Sequence, residues 1–197
     1  MIERVVEAIR AGGAVILPTD TVYGLCADAR SNEAVAALYR LKGRQGAQPT
    51  ALLASGADAV YEAVPELEGR PLLRGPFTLI LPNPAQRFAW LTGDRPATIG
   101  VRVPDLDGDA RAVLDAVGLV AATSANLPGG RDPRGLDDVP PEIRAGCAAE
   151  LDGGELPGTP STVVDLTGPE PVIVREGAVA AAEALRLVSD ASAAARG

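Results

Sequence analysis

The chain has 197 residues, 47% hydrophobic and 22% charged, with a formal net charge of −8. That length suits a single domain whose core needs no disulfide or metal to hold it, and the acidic balance argues against broad nonspecific binding to nucleic acid, which requires Lys and Arg to displace counterions. Histidine is absent, which excludes a Ser-His-Asp triad, a His base and a His-bearing zinc site.

In chain order, Ile2, Val5, Val6 and Ile9 recur at helical spacing, and Gly12 and Gly13 end that helix. A strand follows at residues 14–17. Ser31 or Asn32 caps a second helix, with Val35, Leu38 and Leu41 on one side and Gly43 at its end. Residues 50–54 read as a strand, 57–64 as a helix and 67–73 as a short helix. Strands are expected at 77–81 and 98–103, a helix at 110–117 and an apolar strand at 119–123. The Pro- and Gly-rich segment 127–141 reads as a loop, followed by a short helix at 142–145. Three more strands fall at 148–151, 162–166 and 172–175, and a helix at 178–188. The Ala-rich tail 189–197 is expected to fray. Short strands with continuous apolar cores, interleaved with helices, predict an α/β domain over residues 1–188, with a twisted mixed sheet flanked by helices. With aromatics at only 3%, the core must be packed from Val, Leu, Ile and Ala. Cys26 and Cys147 form no metal-ligand spacing. Residues 1–10 carry four charges and look like neither a signal peptide nor a membrane span, so the expectation is a reduced, cytoplasmic protein without a membrane partner.

Several strands end in polar clusters. In PTDTVYGL, residues 18–25, the apolar strand stops at Pro18 and meets Thr19, Asp20, Thr21 and Tyr23. If 19–23 is extended, Thr19, Thr21 and Tyr23 share one face, suited to a small polar ligand, while Asp20 and Val22 point away. The alternative is a turn in which Thr and Asp satisfy local backbone groups. Lys42, the lone lysine among 18 basic residues, flanks Gly43 together with Arg44. The pair either complements a helix dipole, worth about 0.3–1 kcal/mol, or forms an anion site. In TIGVR, Ile99, Val101 and Val103 face the core. Thr98, Gly100 and Arg102 share the other face, with Thr98 and Arg102 about 13 Å apart at roughly 3.3 Å per residue. A mid-strand glycine often marks close approach of a ligand, and arginine can hold a carboxylate bidentately. Ser124 and Asn126 end another strand, either as ligand contacts or as caps of the next turn. Ser161 enters a strand and Arg175 ends one. No Walker A or GxGxxG pattern is present, so a nucleotide would be bound in some other way.

The ordered set PTDTVYGL, KGR, GVRVP, TSAN, PSTVVDLTG and VIVREGAV, from about Gly13 to Val179, resembles the YrdC-like family of threonylcarbamoyl-AMP synthases. The resemblance implies a twisted sheet around a concave, locally positive cavity. It implies condensation of L-threonine, bicarbonate or CO2, and ATP, with Mg2+ present and pyrophosphate released. A separate tRNA-modifying transferase complex would then consume the product. It further implies that Lys42 and Arg44 act on the phosphates, that ATP is held by Lys42, Arg44, Gln48, Thr98, Asn126, Arg134 and Arg175, and that L-threonine is held by Thr21, Tyr23, Arg102, Ser124 and Ser161, with no protein metal ligands. The chain departs from the family pattern at Gln48, Leu53, Pro128, Arg134 and Glu176, and the expectation is a short form without the additional C-terminal domain of longer members. Two rival readings are a noncatalytic RNA-binding or ribosome-maturation module and a carbamoyl-adenylate-forming domain. A local basic patch leaves room for a weak RNA contact. The net charge and the scarcity of stacking aromatics count against the first rival. The absence of accompanying zinc-finger and acylphosphatase-like segments counts against the second.

Overall fold

The computed structural model describes residues 1–43 and 48–194. Among them nine strands form one mixed sheet in the order β7-β1-β2-β6-β3-β5-β4-β8-β9. The strands are β1 Val15–Pro18, β2 Tyr23–Asp28, β3 Ala51–Ala54, β4 Phe77–Pro82, β5 Thr98–Arg102, β6 Leu119–Ser124, β7 Ala149–Glu150, β8 Thr162–Asp165 and β9 Val172–Arg175. Pairs β1–β7, β3–β5 and β4–β8 are parallel and the others antiparallel. The helices are α1 Ile2–Arg10, α2 Asn32–Lys42, α3 Ala57–Ala63, α4 Gly108–Val117, α5 Pro141–Ala145 and α6 Ala181–Ala194. No described helix is long and apolar enough to cross a membrane.

Packing follows the sequence periods. Val5, Val6 and Ile9 of α1 meet Val113 and Leu114 of α4 over Val15, Leu17 and Val120. Ala34 and Leu38 of α2 pack with Ile143 of α5 on Ile16 and Leu25. Along β4 and β5, Phe77, Leu79, Leu81, Ile99 and Val101 all enter a third cluster with Val60 of α3 and Val188 of α6. Burying each such side chain contributes about 1.5–3 kcal/mol. The alternation expected for residues 98–103 therefore holds, and Thr98, Gly100 and Arg102 are left on the opposite face.

Three expectations are corrected, and one open alternative is decided: residues 19–22 are the turn of the β1–β2 hairpin. Strand β2 was not anticipated, because every residue from Tyr23 to Ala27 is buried and the segment carries no alternation to read. Residues 67–73 do not form a helix. A single 3-10 turn covers Pro65–Leu67, and Pro71 then disfavours helical backbone at Arg70. Finally, α6 begins at Ala181 and continues through Ala194, where fraying was expected.

Candidate functional site

The face of the sheet opposite the third cluster carries a cavity of about 250 Å³. The β1–β2 turn forms one wall and the first residues of β8 another. Its floor is the outward face of β4 and β5: Thr78, Ile80, Thr98, Gly100 and Arg102. Arg95, Arg175, Ser124 and Ser161 add to the polar lining, together with Thr50, Thr92 and Thr123, and no described lining residue is a carboxylate. Two of the lining arginines are paired from outside it, Arg102 with Asp20 and Arg95 with Asp165.

The turn supplies its own hydrogen bonds. Thr19 Oγ1 donates to the Val22 carbonyl at 2.7 Å and accepts from the amides of Thr21 and Val22. Thr21 Oγ1 lies 3.0 Å from Thr19 Oγ1 and accepts from Arg102 Nη2 at 2.8 Å. Both readings of this stretch therefore hold in part: it is a self-satisfied turn, and it borders the cavity. Thr21 is fully buried and borders the cavity beside the arginine it supports. Asp20 lies outside the cavity lining, as alternation suggested, whereas Val22 borders the cavity, because a turn has no two-residue period. The Asp20 carboxylate pairs with Arg102 and accepts from the Asp105 amide at 3.0 Å.

Tyr23, expected in the amino-acid pocket, is elsewhere. It opens β2 fully buried, its hydroxyl donating to Asp152 Oδ1 and the Gly154 carbonyl and accepting from the Gly153 amide. Burial first, and the Asp152 carboxylate after it, push this phenol above its ordinary range, while the Gly153 amide opposes them.

Lys42, at the end of α2, is only 2% exposed, which for lysine requires strong partners. Its Nζ donates to the Ser124 carbonyl at 2.5 Å, to Ser124 Oγ at 3.3 Å and to Asn126 Oδ1. Ser124 Oγ also donates to Asn126 Oδ1 at 2.7 Å, and Asn126 Nδ2 donates to the Gly130 carbonyl at 2.7 Å. Asn126 thus caps the turn and ties the lysine to the end of β6. Arg44 lies outside the described residues.

On the far side, Ser161 Oγ lies 2.8 Å from Thr78 Oγ1, and Arg175 Nη2 donates to the Ser161 carbonyl at 2.8 Å. Gly177 allows this packing: a Cβ there would stand 2.2 Å from the Pro160 carbonyl oxygen and 2.6 Å from that of Ser161. Burial holds the Arg175 guanidinium below its ordinary range. Asp132 opposes the shift and the Arg102 cation adds to it.

The structure therefore brings Thr21, Thr98, Arg102, Ser124, Ser161 and Arg175 to one cavity, with Lys42 and Asn126 directly behind Ser124. It does not bring Gln48, which is exposed and outside the lining, or Arg134, whose guanidinium pairs with Glu155 at 2.8 Å on the surface. Sequence reasoning missed Thr78 and Arg95. Thr78 was legible, since β4 alternates as β5 does. Arg95 was not, because it reaches the rim from an irregular loop held by Asn83, whose Nδ2 donates to the carbonyls of Arg87 and Pro96.

The family model for Sua5, YciO and YrdC, described as "Telomere recombination", matches residues 7–177. The chain belongs to that family. A Mycobacterium tuberculosis (strain H37Rv) protein named "Putative threonylcarbamoyl-AMP synthase" is 36% identical over 181 residues, covering 88% of this chain and 82% of that protein. Human threonylcarbamoyl-AMP synthase is 33% identical over 175 residues, covering 83% of this chain and 62% of the human protein. The crystal structure of Pyrococcus abyssi Sua5 complexed with L-threonine superposes with a TM-score of 0.84 at 30% identity. That match covers 94% of this chain, which spans only 56% of the Sua5 chain.

Proposed function

We propose that this chain is a threonylcarbamoyl-AMP synthase, a nucleotidyltransferase condensing L-threonine, bicarbonate or CO2, and ATP with release of pyrophosphate. The observation that carries the reading is the cavity itself. One guanidinium, Arg102, stands among hydroxyls at one part of it, and a second, Arg175, stands across from it beside Ser161. Such a lining suits a carboxylate and a polyanion side by side. The relative complexed with L-threonine has the same fold over nearly all of this chain.

In this reading Arg102 takes the amino-acid carboxylate and Ser124 and Ser161 orient the rest of that substrate. Thr98 faces the nucleotide. Arg175 and Lys42 set the potential felt by the phosphates, with Arg44 assigned to them by resemblance. Threonine's amine captures CO2 as a carbamate, whose oxygen attacks the α-phosphorus of ATP as pyrophosphate leaves. Such a transfer depends on positioning and charge stabilisation rather than a covalent nucleophile. Mg2+ would enter with the nucleotide and offset phosphate charge; among the described residues no group of three His, Cys, Asp or Glu is placed to hold a metal. The product is a mixed anhydride that a separate transferase would pass to tRNA.

The test is pyrophosphate release with ATP, L-threonine and bicarbonate each omitted in turn, and with serine as a control amino acid. Release requiring all three is expected. Release without threonine or without bicarbonate would refute the assignment.

A further inference from the structure

Arg102 and Asp20 form a buried ion pair, their side chains 10% and 9% exposed. Asp20 is not part of the cavity lining, whereas Arg102 is. The carboxylate instead borders a neighbouring depression with Asp105, Asp107 and Asp152, and its second oxygen is fixed by the Asp105 amide. Asp20 and Thr21 both engage Nη2 of the guanidinium, while its Nε is buried and has no hydrogen-bond partner among the described residues.

We propose that Asp20 is an internal counter-carboxylate for Arg102, holding the guanidinium neutralised in the empty site and thereby limiting how tightly it binds the amino-acid carboxylate. This rests on the reading that Arg102 receives the substrate carboxylate. The physical reason is linkage. A ligand stabilises a protein only by what it adds relative to the empty state. With Asp20 in place, the incoming carboxylate is the second on one guanidinium. Without its charge, the empty protein holds an uncompensated buried cation, and the ligand alone neutralises it. Asp20 is therefore a positioning and affinity-setting residue that acts through Arg102.

The experiment compares wild type with Asp20→Asn, which keeps the shape and removes the charge. Calorimetry and thermal unfolding are run with L-threonine and with L-threoninamide, which lacks the carboxylate. The variant is expected to melt lower when empty and to bind threonine roughly tenfold tighter, about 1.4 kcal/mol, while threoninamide affinity is unchanged. Threonine binding that is unchanged or weaker in the variant would overturn the proposal and leave Asp20 a purely structural residue. A wild type indifferent to threonine would refute the substrate reading instead. The double variant Asp20→Asn with Arg102→Met then decides on Asp20, as it does if the single variant fails to fold. Removing both charges should restore the stability lost in the single variant and abolish any threonine response. A double variant no more stable than the single one would overturn the counter-charge role.

Discussion

Replacing Gly100 by alanine should separate the fold from the site. A Cβ added there would stand 3.7 Å from Ala51 Cα and 3.8 Å from both Ala51 Cβ and Thr78 Cγ2. These are ordinary contact distances, so no neighbour must move. Gly100 sits within β5 in extended backbone that alanine adopts freely. At such a site the substitution stabilises by about 0.4–1 kcal/mol, chiefly by restricting the unfolded chain, which raises Tm by about 1–4 °C for a chain of this size. The added methyl, however, stands on the cavity floor between Thr98 and Arg102. Overpacking by one carbon costs roughly 1–3 kcal/mol, so substrates should bind about 5- to 160-fold more weakly. The assay pairs thermal unfolding with KM for ATP and for L-threonine in pyrophosphate release. A variant that is fully active with unchanged KM values would show that the glycine does not serve ligand approach. A fall in Tm would show that the floor is packed more tightly than these distances allow.

Lys42→Met should lower stability by about 1–3 kcal/mol, because the Ser124 carbonyl and Asn126 Oδ1 lose a donor, and should abolish pyrophosphate release; full activity in a folded variant would remove Lys42 from the machinery. Arg102→Ala should raise KM for L-threonine far more than KM for ATP, and equal losses would mark a structural role. Burial pushes the Cys26 thiol up from 9.0 to about 12. Below pH 9 the thiol is protonated folded and unfolded alike, so its contribution is fully present. Above pH 9 the unfolded chain sheds that proton while the folded chain keeps it, and stability falls, by about 1.4 kcal/mol at pH 10. Urea denaturation at pH 8 and pH 10 should show a smaller loss for Cys26→Ala than for wild type, and equal losses would contradict this origin.

What the sequence alone determined was whatever depends on local period and backbone chemistry. The amphipathic faces of α1, α2 and α4 were legible, and so was the cap at Ser31, whose Oγ accepts from the Ala34 amide at 3.2 Å. The Gly43 terminus at φ 69° was equally legible. The two-residue alternation of β5 placed Thr98, Gly100 and Arg102 on one surface before any coordinates. The ordered motifs identified the family, and half of the residues they pointed to line one cavity. Tertiary structure decided the rest, because it depends on partners distant in the chain. A strand buried on both faces, such as β2, has no alternation to betray it. Pairing of β1 with β2 turned residues 19–22 into a hairpin bend, which swung Asp20 toward Arg102, 82 positions away. Burial and the 152–154 loop drew Tyr23 out of the site, and Glu155 held Arg134 at the surface. Side-chain direction within a strand is fixed by covalent geometry, whereas in turns and loops it is settled by whichever charge or hydrogen-bond partner the fold brings near.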